Sequence, residues 1–138
     1  MREDDLAFHI FAYLKQFNWA RLVFDDTIPD FGDTHFHVCD WGATYPDAAE
    51  PMPPNMPEAR GHSVVTSCYV DADHAGCRVT RRSHTGLLIF VNNAPIIWFS
   101  KRQNTVESST FGSEFIALKI AIDQIEAIRY KLRMFGIP

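Results

Sequence analysis

Asp71 and Asp73 close an apolar run, Val64 and Val65 through Tyr69 and Val70, and the basic residues Arg78, Arg81 and Arg82 follow at once. Residues two apart on a strand share one face, so both carboxylates would point the same way if the strand persists to Asp73. Glu114 falls at the N-terminal end of an apolar helical stripe formed by Leu118, Ala121, Ile125, Ile128 and Leu132. A carboxylate centred on a core-facing stripe is costly unless something pairs with it. Carboxylates from separate elements, with cations nearby, suit a hard oxygen-seeking ion such as Mg²⁺. They equally suit a plainer arrangement, in which Asp71 and Asp73 cap a turn and Glu114 pairs with Arg or Lys or is favoured by the helix dipole. From these residues alone both readings stand.

Other candidates are weaker. His35, His37 and Cys39 alternate in "HFHVCDW" and could ligate zinc from one strand face, but no second ligand pair follows at a usual zinc spacing. Ordinary strand alternation is the expectation there. His74 and His84 flank the acids, where they could touch phosphate or simply face solvent. Ser108, Ser109 and Ser113 have no recognisable histidine and acid partners, and the first two read as helix-entry residues rather than nucleophiles.

The elements that must position these groups follow from periodicity. Asp4 to about Phe17 reads as a short amphipathic helix, with Ala7, Ile10, Phe11, Leu14 and Phe17 at helical spacing. Trp19 to Tyr45 has little period. "PDAAEPMPPNMPEARG", Pro46 to Gly61, carries five prolines and reads as a linker or extended surface loop. The domain boundary is expected there: residues 1–61 form a connection segment and Pro-rich linker, and residues 62–138 a separate domain. Ser63 to Ala72 alternates as a strand. "TGLLIFV", Thr85 to Val91, suits a strand buried on both faces. "NNAP" is a turn, and "IIWFS", Ile96 to Ser100, completes an antiparallel hairpin. A long helix is expected from about Thr110 to Phe135, ended by Gly136 and Pro138.

Composition sets the outer limits. Of the 138 residues 46% are hydrophobic, enough for a packed core. No apolar run reaches the roughly 18–20 residues that span a bilayer, and "MREDDLAFHIF" does not resemble a secretory signal. An intracellular chain without a membrane partner is therefore expected, with Cys39, Cys68 and Cys77 as reduced thiols. The net charge of −4 is uneven. Residues 1–60 hold 4 basic against 11 acidic residues, or −7, which leaves 9 against 6, or +3, for residues 61–138. Contact with a polyanion would belong to the second half.

Four motifs carry a family resemblance: "YVDADHAG", "TRRSHTG", "APIIWFSKRQNTVESST" and "SEFIAL". In this order and spacing they resemble the ribonuclease H region of copia-type LTR retrotransposon Pol polyproteins. Upstream, "HIFAYLKQF" resembles the connection helix after the reverse transcriptase. The resemblance is dense from Tyr69 to Leu118. It implies the start of a ribonuclease H-like α/β (α+β) fold, namely a three-stranded antiparallel beginning of a mixed sheet plus a long helix, preceded by a helical connection segment. It also implies two Mg²⁺ ions held by four carboxylates, cleaving the RNA strand of an RNA–DNA hybrid. Asp71 matches the first family carboxylate and Glu114 the second, with Asp73 as a further metal-side acid. Arg78, Arg81, Arg82, Lys101 and Arg102 are the expected phosphate contacts, and the hybrid would be recognised by minor-groove shape and 2′-hydroxyls. The remainder of the Pol polyprotein is the implied protein partner.

The chain also departs from the pattern. The third family carboxylate lies on a fourth strand after the long helix, and the sequence reaches Pro138 where that strand would begin. Asp123 lies about 900° round and about 13.5 Å along the helix from Glu114, and Glu126 is about 120° off and farther away, so neither can replace it. Phe111 stands where the family has an outer acid, and His74 where it has Trp. The expectation is a Pol fragment derived from a two-metal ribonuclease H and inactive alone, its two-ion Mg²⁺ site incomplete. The alternative is a non-catalytic nucleic-acid-binding or interaction module, a degenerate retroelement product.

Overall fold

The computed structural model describes residues 3–32 and 40–138. His35, His37 and Cys39 lie outside the described residues. The elements run α1 (Glu3–Gln16), a short 3-10 turn (Trp41–Ala43), β1 (Thr66–Asp73), β2 (His84–Val91), β3 (Ala94–Arg102) and α2 (Thr110–Met134). This is a mixed α and β arrangement, with a three-stranded antiparallel sheet in the order β1-β2-β3, a long C-terminal helix and a preceding helical segment. No described helix is long and apolar enough to cross a membrane.

The hairpin between β2 and β3 is two residues long, Asn92 and Asn93, with Val91 opposite Ala94. Asn92 takes φ +53°, which its short polar side chain tolerates better than most. Its amide side chain also ties down neighbours: Oδ1 accepts from Val65 N at 3.0 Å and Nδ2 donates to Asp26 O at 2.7 Å. A bulge between Ile89 and Phe90 offsets the register near that tip.

Burial along the sheet is one-sided. Thr85, Leu87 and Ile89 of β2 are buried under α2, and half-buried Cys68, Val70, Ile97 and Phe99 from the flanking strands pack against them. Gly86, Leu88 and Phe90 alternate onto the other face, where they are only half-buried. The expectation that Thr85–Val91 is covered on both faces is thus corrected. A single helix layer covers a single face, and alternation leaves the other face to Tyr69, Leu88, Phe90 and Trp98.

Helix α2 begins at Ser109, whose Oγ accepts from Gly112 N at 3.1 Å as an N-cap. It ends in a Schellman arrangement: Gly136 at φ +76° donates to Arg133 O and Ile137 donates to Leu132 O. Ser113, Ala117, Ala121 and Ile128 face inward and are buried, supported by Ile125 and Leu132. The expected inward stripe is therefore corrected at its N-terminal end. Leu118 is 48% exposed, and Glu114 is exposed too. Small side chains at 113, 117 and 121 let the helix lie close to the sheet, and close approach outweighs the larger apolar area of Leu118.

The segment before β1 rests on this unit. Glu50 pairs with Arg129 at 2.7 Å and Arg133 at 2.8 Å, Arg60 N donates to Gly136 O at 2.6 Å, and Pro53 is buried. Asn93 N and Nδ2 bond Thr27 at the hairpin tip. These contacts cross residue 61, so the proline-rich stretch runs as a strap along the C-terminal part of α2. Helix α1, by contrast, packs on neither the sheet nor α2 among the described residues.

Candidate nucleic-acid interface

Asp71 stands opposite Gly86, and Asp73 opposite His84, which in turn stands opposite Arg102. Val70 and Cys68 face α2, so alternation turns Asp71 and Asp73 to the outer face, where both are exposed. The Asp73 carboxylate lies 3.9 Å from His84 Nδ1. It also folds over Gly76 so closely that a Cβ at that position would overlap it.

The basic residues arrive at the same end of the sheet. The loop from Gly76 to Ser83 is closed by Arg81 N donating to Cys77 O at 2.7 Å and Cys77 N donating to Arg82 O at 3.1 Å. It presents Arg78 and Arg81 exposed and Arg82 half-buried. Lys101 and Arg102 close β3 beside it, opposite Thr85 and His84, and both are exposed. The Cys77 thiol is lowered to about 7 by hydrogen bonding to the Thr80 side chain, then by the Thr80 and Val79 amides, with Arg102 contributing least.

The N-terminal end of α2 reaches this end as well. Ser113 Oγ lies 3.4 Å from His74 Nδ1 and donates to Thr110 O at 2.8 Å. Ser113 does therefore have a histidine neighbour, which its sequence context did not reveal. Its hydroxyl is buried and engaged with the helix backbone, so it is no nucleophile. Ser109 is the helix-entry residue expected.

Three expected acids, Asp71, Asp73 and Glu114, thus sit at or near one end of the fold. Glu114 is exposed on α2, not held in the sheet-facing stripe. Among the described residues no three His, Cys, Asp or Glu side chains come together as a metal-holding group. Asp71 and Asp73 are hard oxygen donors about 7 Å apart along β1. That chemistry suits Mg²⁺, but these residues do not amount to the four-carboxylate, two-ion cage. What the arrangement offers by itself is a cationic rim, a group of five Arg and Lys residues at one end of the sheet, from one loop and one strand end, with Arg102 on the face of the two outward carboxylates and Lys101, opposite buried Thr85, on the α2 face.

Sequence reasoning missed a buried polar group behind this rim. Ser83, Thr85, Gln103 and Ser113 are all buried. The available signal was their position: Ser83 ends "TRRS", Gln103 ends "SKRQ", and Ser113 precedes Glu114.

Part of the chain is similar to two known proteins. It is 40% identical over 57 residues to the "Uncharacterized mitochondrial protein AtMg00810" of Arabidopsis thaliana, a match covering 41% of this chain and 24% of that protein. It is 41% identical over 56 residues to the "Secreted RxLR effector protein 161" of Plasmopara viticola, covering 41% of this chain and 39% of that protein. The chain thus spans about a quarter and about two-fifths of the length of these relatives. No family model matches the chain, and no solved structure matches it.

Proposed function

We propose that this chain is a segment of a copia-type retrotransposon Pol polyprotein. It would cover the end of the reverse transcriptase connection and the N-terminal part of a ribonuclease H-like domain. On this reading residues 66–134 are the opening β-β-β-α of that fold. The segment holds RNA–DNA hybrid by its phosphates and does not hydrolyse it alone. The observation that supports the reading is that the loop of Arg78, Arg81 and Arg82 and the strand end of Lys101 and Arg102 lie at the end of the sheet that bears Asp71 and Asp73.

The chemistry follows from what the residues can do. Guanidinium and ammonium groups at the rim attract and register phosphates, with affinity that falls steeply with salt. Asp71 and Glu114 are the acids that match the family's first two carboxylates. Cleavage would need further carboxylates to complete a two-ion Mg²⁺ site, and among the described residues no three His, Cys, Asp or Glu side chains gather into such a group. The remainder of the polyprotein is the partner expected to supply them.

The test is binding and cleavage of a labelled RNA–DNA hybrid by the purified chain. Salt-dependent binding without Mg²⁺-dependent product is the expected result, and Lys101→Ala should weaken it. Cleavage that disappears in Asp71→Asn would overturn the inactive reading, and absence of binding at low salt would overturn the nucleic-acid reading. A second reading, a protein-interaction module, is favoured by one observation. Tyr69 and Trp98 are exposed on the outer sheet face beside half-buried Leu88 and Phe90. Binding to no nucleic acid at any salt concentration would favour it.

A further inference from the structure

Gln103 follows β3 directly and is only 3% exposed. Its backbone N donates to Ser83 O at 2.8 Å. Its side-chain Nε2 donates twice, to Thr85 Oγ1 at 3.1 Å and to Ser113 O at 2.9 Å. Ser83 Oγ in turn accepts from Ala75 N at 3.0 Å, in the turn after β1. The buried side chain therefore connects the start of β2 to the first turns of α2, while the backbone amide of the same residue joins the end of β3 to Ser83, which holds the turn after β1.

The amide orientation is fixed by chemistry. Ser113 O is a carbonyl and can only accept, so the group facing it must be the NH₂. Gln103 Oε1 is then left buried without a partner, which is costly in a packed interior. An apolar side chain of similar size would avoid that cost. What it would lose is the fixed relation between α2 and the strand ends.

We propose that Gln103 is a positioning residue for the cationic rim. Its side chain pins the first turns of α2, which carry Glu114, to Thr85 of β2, the central strand paired with β1 of Asp71 on one side and β3 of Lys101 and Arg102 on the other. Its backbone amide, which side-chain substitution keeps, bonds Ser83 at the end of the loop of Arg78, Arg81 and Arg82, so that a Gln103 variant tests the side-chain pin to α2 alone. This rests on the hybrid-binding reading above. Hybrid and B-form duplex carry the same phosphates at different groove geometries. A rigid rim discriminates between them, whereas a loosened rim still attracts both. Loss of Gln103 therefore erodes discrimination, and loss of a rim cation erodes attraction.

The experiment uses the full chain, with fluorescence anisotropy on an RNA–DNA hybrid and on a DNA duplex of the same sequence. Circular dichroism checks that each variant is folded. Gln103→Leu is expected to lose about tenfold in hybrid affinity while duplex affinity changes less than about twofold, whereas Lys101→Ala weakens both and lowers the salt slope by about one. Thr85→Val removes one of the two acceptors and is the second variant if Gln103→Leu fails to fold; a smaller loss of the same kind is expected. A wild-type preference for hybrid that survives unchanged in these folded variants overturns the proposal, as does equal wild-type affinity for the two nucleic acids. If the wild type binds neither, the hybrid-binding reading falls, and positioning for nucleic acid falls with it. The pin is then judged on amide exchange at Ser113 and Glu114: faster exchange in Gln103→Leu supports it, and unchanged exchange overturns it.

Discussion

Helix α1 and the β-β-β-α unit from Thr66 to Met134 are both built from regularly spaced apolar residues, yet only the second has a core. Ile89 is fully buried between the sheet and α2, whereas Phe11 of α1 is 68% exposed. Regular spacing makes a face, but a core needs a second layer for that face to meet. Strands β1, β2 and β3 have α2 as that layer, and α1 has none among the described residues. A 14-residue helix is marginal in water without tertiary packing.

The largest effect should come from cutting into the packed layer. Ile89→Ala is expected to destabilise the chain by ~2–5 kcal/mol, and Phe11→Ala by less than ~0.5 kcal/mol, both measured by urea unfolding. Similar losses at the two positions would show that α1 is packed after all and dissolve the contrast.

A smaller effect tests whether α2 owes part of its stability to its own ends. Ser109→Ala removes the oxygen that accepts from Gly112 N and should cost ~1 kcal/mol. Ser109→Asp, which keeps an acceptor, should restore most of it. A cost below a few tenths would mean that sheet packing alone holds the first turn.

The smallest effect concerns the strap, which lies between the two extremes. Hydrogen bonding from Arg133, with charge from Arg129 and Arg133, holds the Glu50 carboxyl below its ordinary 4.5. A carboxyl lowered on folding adds stability above its unfolded value, and that stability is lost as pH falls through the folded value. Thermal unfolding should therefore show a modest extra loss below about pH 4.5 that is absent in Glu50→Gln. Proteolysis within residues 46–61 should quicken in the same variant at neutral pH. A strap equally resistant in both forms would mean that its backbone bond to Gly136 and buried Pro53 suffice.

Much of the local architecture was legible because it depends on neighbours in the chain. "NNAP" between two apolar runs specifies a tight hairpin, and Ser109 and Gly136 mark the ends of α2 within a residue or two. The candidate acids and cations were legible as residue types, and their placement in strand, loop and helix agrees with those elements. The exposure of Glu114 was not legible. Its inward assignment followed from weighting large apolar residues such as Leu118, while the helix approaches the sheet over Ser113, Ala117 and Ala121. The one-sided burial of β2 was also hidden, because a continuous apolar run looks the same with one covered face or two. The strap was hidden as well, since Glu50 finds Arg129 and Arg133 about eighty residues away.

By itself the sequence determined the order of elements, the antiparallel hairpin, the helix ends and the clustering of positive charge in the second half, because turns, caps and periodicity act over a few residues. Tertiary structure alone decided which face of α2 turns inward and that the basic loop meets the end of β3. It also decided that Gln103 joins Thr85 to Ser113. These depend on contacts between elements distant in the chain, where close packing and pairing of buried polar groups select one arrangement among several that the local pattern allows.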